Sequence, residues 1–145
     1  RDTIHDAFMS GPEHVVELTH GYTYSAHPIA CAAALATLDI YRDEKLFERA
    51  RELEPKFADA VMSLRQQPGV LDIRTIGLTA GIDLAPHADA PGKRGFAGLN
   101  SAFHDNALMV RVAGDTLVLT PPLIITEDQI GEIIEKVTKV IRATA

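Results

Sequence analysis

The sequence predicts an α+β fold, helices packed on one antiparallel sheet, and three observations carry that reading. Two pairs of apolar runs are separated by short glycine turns, as in β-hairpins. Amphipathic stretches with helical spacing precede, separate and follow those pairs. From the alanine-rich stretch onward, the order helix, helix, strand pair, helix, strand pair, helix suits a layer of helices over one sheet.

Each element has a local reason. Asp2 to Met9 places Ile4, Ala7 and Phe8 at helical spacing, and Ser10-Gly11-Pro12 stops it. Val15 to Leu18 is brief and apolar, and Thr19 to Pro28 (THGYTYSAHP) is a polar loop rich in hydroxyls and rings. Pro28 opens a helix, because a first-turn N–H has no intrahelical partner to lose. The small residues that follow, IACAAALATLDIY, predict close packing against another element. From Glu44, Leu46, Ala50, Leu53, Phe57, Ala60, Val61 and Leu64 form one apolar face. Pro55 is expected to kink or divide that helix by removing the bond to the Arg51 carbonyl.

Val70–Ile76 and Leu78–Leu84 read as a hairpin around Gly77. Pro86 to Gly92 reads as a loop, and Phe96 to Asn106 as a short helix. Leu108–Ala113 and Thr116–Thr120 read as a second hairpin, with Gly114-Asp115 as a two-residue turn of the glycine-first type. Thr126 and Gln129 form a capping box, with Glu127 and Asp128 at the positive helix end. Ile130, Ile133, Ile134, Val137 and Ile141 are the buried stripe of this last helix.

Composition narrows the function. The chain has 145 residues, 46% hydrophobic and 23% charged, which is a globular composition of one-domain length. Fourteen basic against twenty acidic residues give a net charge of −6, with no basic cluster, so a nucleic-acid partner is not expected. The longest weakly polar run, Pro28 to Leu38, is too short to span a bilayer. One cysteine, Cys31, forbids an internal disulfide, and on its alanine-rich helix it reads as a small buried side chain. His5, His14, His87 and His104 are scattered and suggest no metal set. His20 and His27 flank the polar loop without a nucleophile or carboxylate at a diagnostic spacing.

Two places could carry chemistry. Strand alternation puts Met109, Arg111 and Ala113 on one face, with Arg111 in mid-strand. A guanidinium there is costly to bury unless paired, and a carboxylate offers it two parallel hydrogen bonds. An internal ion pair and a side chain reaching to solvent remain alternatives to a ligand. The loop Gly21-Tyr22-Thr23-Tyr24-Ser25 precedes a helix start where free N–H groups favour an anion, and its hydroxyls add donors. A helix cap with aromatic packing is the alternative there.

At these places the sequence resembles a known family. HGYTYSAHPIACAAALATLDIY is similar to the loop and helix of class III (omega) aminotransferases, typically HG-[FY]-T-Y-S-G-H-P, with Ala26 where Gly is usual. IRTIGLTAGIDL resembles the family's R-G-x-G-L-x-x-G-I-E-L, with Thr75 in place of the first Gly. VRVAGDTLVLTPPLIIT resembles its C-terminal hairpin with paired prolines. The likeness is closest to the omega-amino acid–pyruvate (beta-alanine–pyruvate) members.

The resemblance implies a fold-type I enzyme using pyridoxal 5′-phosphate (PLP), cytoplasmic and working as a homodimer or dimer of dimers on a small amine and a keto acid. It implies that Thr23, with Tyr22 beside it, binds the cofactor phosphate in the neighbouring subunit. It implies that Arg111 holds a substrate carboxylate and swings aside for uncharged amines. The family's Schiff-base lysine matches none of Lys45, Lys56, Lys93, Lys136 or Lys139. The expectation is therefore a C-terminal third, starting just after that lysine and inactive without the rest. Residues 1–42 would end the large cofactor domain and 43–145 would form the small domain. Another class III reaction, such as an aminomutase, and a non-catalytic α+β binding module are the alternatives.

Overall fold

A computed structural model describes residues 2–12, 21–88 and 90–145. The apolar run Val15–Leu18, with Thr19, His14 and His20, lies outside the described residues. Contacts divide the chain into two units, residues 1–39 and 40–145.

The first unit contains α1 (Asp2–Met9) and most of α2 (Pro28–Asp43). α1 ends at Ser10, whose hydroxyl donates to the Ala7 carbonyl at 2.8 Å. Pro28 does start α2, and neither helix buries a residue within this chain. Ile29, Leu35 and Leu38 are open to solvent, and so is Cys31. Cys31 as a buried side chain is thus corrected: the small-residue surface is present, but no described element covers it.

The second unit holds α3 (Leu46–Met62), β1 (Val70–Ile76), β2 (Thr79–Leu84), α4 (Lys93–Asn100), β3 (Arg111–Ala113), β4 (Thr116–Leu119) and α5 (Glu127–Ala143). The strands form one antiparallel sheet in the order β1-β2-β4-β3, leaving β1 and β3 as edges. Ile73, Ala80, Ile82, Leu84, Leu117 and Leu119 are buried on one face. Phe57, Val61 and Leu64 from α3 and its 3₁₀ extension join them, with Ile130, Val137, Val140 and Ile141 from α5. The opposite face carries Arg74, Ile76, Asp83 and Arg111, and Ile76 is 77% exposed. Alternation with period two sorts these side chains, and α3 and α5 pack on the apolar set.

Three sequence expectations need correction. α3 is not divided at Pro55 and runs as one helix from Leu46 to Met62. One missing N–H was outweighed by the burial of Leu53, Phe57 and Val61 on both sides of it. The helix expected over Phe96–Asn106 starts earlier, at Lys93, and its last part is a π-helical turn, Ser101–Asp105. The strand expected from Leu108 begins only at Arg111. Its partner β4 is followed by Pro121 and Pro122, which have no N–H with which to extend the ladder.

Other details follow the sequence reading. Thr126 accepts from the Gln129 N–H at 3.2 Å, and Gln129 accepts from the Thr126 N–H at 3.0 Å. Gly114 has φ 60° and Asp115 does not share the positive φ, the signature of a glycine-first tight turn.

Candidate functional site

Arg111 opens β3, paired with Val118 of β4 on the face of the sheet opposite the apolar core. It is exposed rather than buried, and it stands at a strand start rather than in mid-strand. An edge position gives its long stem room to reach solvent, which removes the cost that burial would impose. Among the described residues, no carboxylate or carbonyl binds its guanidinium. An internal ion pair to Arg111 is thus absent among the described residues.

Beside it lies an open groove of about 450 Å³, lined by Leu108, Val110, Leu119, Pro121 and Pro122 among others. Arg111 is its one charged lining residue. The groove owes its shape to the short strand. Ala107 takes a left-handed φ of 48°, and the Leu108 N–H turns back to the Ala102 carbonyl at 2.8 Å. Leu108, Met109 and Val110 thus stand outside the ladder and line the groove together with the two prolines. A guanidinium unpaired among the described residues, at the rim of an apolar trough, suits a ligand with a carboxylate and a carbon chain.

The second place is the turn before α2. The Ser25 N–H donates to the Tyr22 carbonyl at 2.9 Å, and the His27 N–H to the Tyr24 carbonyl at 3.3 Å. Tyr22 and Tyr24 are exposed, as are Thr23 and His27. Among the described residues, Thr23 binds nothing with either its hydroxyl or its N–H. Ala26 has φ 62°, a left-handed conformation that costs a Cβ-bearing residue about 1–2 kcal/mol. Glycine, with no Cβ, takes this conformation without that cost.

Sequence reasoning missed a polar tie around α4. Arg94 is only 3% exposed, and it donates to the carbonyls of Pro68 (3.0 Å), Gly69 (3.2 Å) and Ala85 (3.1 Å). Asp115, in the β3–β4 turn, accepts from the N–H groups of Gly92 (2.6 Å) and Gly95 (2.9 Å). These amides hold the Asp115 carboxyl below the usual carboxylate range. The signal was present as Gly92, Gly95 and Gly98 at helical spacing. A Cβ at Gly95 would lie 2.0 Å from the Gly114 oxygen, and one at Gly98 would lie 3.1 Å from Leu117.

A family model, aminotransferase class-III, matches residues 1–141. The chain belongs to the class III aminotransferases. It is 47% identical to an omega-aminotransferase of Caulobacter vibrioides, over 95% of this chain and 31% of that protein. Identity is 39% to the beta-alanine–pyruvate aminotransferase of Pseudomonas aeruginosa, covering 98% of this chain and 32% of that protein. A gamma aminobutyrate transaminase of Solanum lycopersicum is 32% identical over 97% of the chain and 28% of its own length. The omega transaminase of Pseudomonas jessenii solved in complex with PMP superposes with a TM-score of 0.76. That match has 32% identity over 88% of this chain and 29% of that structure. The chain thus spans about a third of the length of these class III relatives, and its α+β sheet and helices are those of their fold.

Proposed function

We propose that this chain is the C-terminal part of a PLP-dependent aminotransferase that moves an amino group from an omega-amino acid or amine to pyruvate. The observation that carries the reading is Arg111, an exposed guanidinium without a partner among the described residues, at the rim of an apolar groove, in a chain of this family. In this reading Arg111 grips the carboxylate of the amino donor and of the keto acid. Leu108, Val110 and Pro121 exclude water from the carbon chain between that carboxylate and the reacting end.

The donor set before α2 fits a phosphate. Thr23 offers a hydroxyl and an N–H that no described residue uses, and Tyr22 stands next to it. In a homodimer or dimer of dimers, this turn would hold the PLP phosphate of the neighbouring subunit. PLP, when bound, supplies the carbonyl and electron sink that carry an amino group from one carbon skeleton to another. The relative solved with PMP, the amino form of that cofactor, supports this assignment. Residues 1–42 would close the large domain and 43–145 make the small one, a division supported by the separation of the two units near residue 39. The bacterial sources of the omega-aminotransferase and beta-alanine–pyruvate relatives support a cytoplasmic enzyme.

The test uses the full-length enzyme, with and without Arg111→Leu, in the donor half-reaction. Beta-alanine and gamma-aminobutyrate are compared with benzylamine, which has no carboxylate. Losing a charge-assisted pair should lower the efficiency with both amino acids by about 10- to 100-fold relative to benzylamine. An equal effect on all three amines would sink the assignment.

A further inference from the structure

We propose that Asp115 is a positioning residue for Arg111, acting through the β3–β4 turn; this rests on the reading of Arg111 as the carboxylate clamp. β3 is three residues long and pairs only with β4, through Arg111 to Val118, Val112 to Leu117 and Ala113 to Thr116. A strand that short and at a sheet edge is weakly held by its ladder alone. Its other polar anchor is the turn that follows it. The Asp115 carboxylate binds two N–H groups at the start of α4, and the Asp115 carbonyl accepts from the Leu84 N–H at 3.0 Å. The turn is therefore tied both to a helix and to the end of β2.

The helix is itself fixed. Arg94 grips the carbonyls of Pro68, Gly69 and Ala85, at the opposite ends of β1 and β2 from their shared turn. Gly95 lets the helix approach until the Gly114 oxygen occupies the space of its missing side chain. A continuous set of contacts runs from the base of the sheet through Arg94, α4 and Asp115 to the hairpin that presents Arg111. Asp115 touches neither the groove nor the guanidinium. Its role is to fix where β3 starts and hence where the Arg111 head can reach.

The experiment measures the donor half-reaction of full-length holoenzyme with beta-alanine and with benzylamine, and takes the ratio of the two efficiencies. Asp115→Asn keeps the shape but turns an amide N–H₂ toward one of the two helix N–H groups. It is expected to lower the ratio about tenfold, the scale of a small misplacement of a binding group. In an Arg111→Leu background the same change should leave the ratio where Arg111→Leu put it. A parallel fall for both amines would mean a purely structural role and overturn the proposal. So would a further drop of the ratio in the double variant. If Arg111→Leu lowers the ratio and Asp115→Asn does not, the proposal fails while the clamp stands. If Arg111→Leu leaves the ratio intact, the clamp itself fails, and the proposal with it. Should Asp115→Asn give no soluble holoenzyme, Asp115→Ser, which retains an acceptor, is judged by the same criteria.

Discussion

Arg74 on β1 clasps Asp83 on β2 across the face of the sheet opposite the apolar core, Nη2 to Oδ1 at 2.9 Å and Nη1 to Oδ2. The register sets Asp83 opposite Asp72, two like charges, and Arg74 Nη1 also reaches Asp72 at 3.4 Å. Thr116 donates its hydroxyl to Asp83 at 2.7 Å, joining β4 to the same group. The Arg74 and Thr116 hydrogen bonds hold the Asp83 carboxyl below its ordinary range. Its contribution to stability is complete above the unfolded-state value, about 3.9, and is lost as pH falls through the lower folded value. Urea unfolding from about pH 7 to about pH 3 should therefore show a decline that Asp83→Asn makes shallower. An unchanged acid limb in that variant would contradict the role given to the pair.

Two glycines of the same unit should respond oppositely to alanine. Gly131 lies inside α5 with open space where a Cβ would stand, so Gly131→Ala should stabilise by about 0.5–1 kcal/mol. Gly95→Ala drives a methyl into the Gly114 carbonyl and should cost about 1–3 kcal/mol. Midpoints of chemical unfolding decide both signs.

Ala26→Gly should relieve the left-handed strain in the turn before α2. A gain of about 1 kcal/mol corresponds to roughly fivefold slower hydrogen exchange at the Ser25, His27 and Cys31 amides, if the turn opens as a unit. Faster exchange would mean that the backbone there is not strained by the methyl group.

Thr126→Ala removes the acceptor for the Gln129 N–H at the start of α5 and should cost about 1 kcal/mol. Thr126→Ser, which keeps the oxygen, should restore most of it in the same unfolding measurement.

PLP added to this chain alone should give no absorbance band of a lysine-bound cofactor. Lys56 is paired with Glu127 and Lys136 with Glu132, and Lys45, Lys93 and Lys139 are exposed to water. Stoichiometric capture by one lysine would refute this, and peptide mapping after borohydride reduction would identify it.

Local rules made much of the fold legible. Pro28 marked the start of α2, and Thr126 with Gln129 marked the start of the last helix. Long-range balances were not legible. Proline chemistry at Pro55 argued for a kink or a division, and the buried faces before and after it kept α3 undivided. At Arg111, alternation gave the right face but not the depth, because strand order alone makes β3 an edge. Family resemblance, rather than spacing, singled out Thr23. The tie from Arg94 and Asp115 depends on residues 9 to 26 positions apart, most of them more than 20, beyond any local pattern.

The row of glycines on α4 has a consequence for how this family segment can change length. Slipping the helix by one residue would rotate it by about 100°. That would withdraw Arg94 from its three carbonyls and turn a side chain toward Gly114. Insertions and deletions between β2 and α4 must therefore be absorbed before Gly92, in the stretch from Pro86 to Pro91. The loop is free to drift in length, while the helix behind it works as a keyed part that seats in one rotation only.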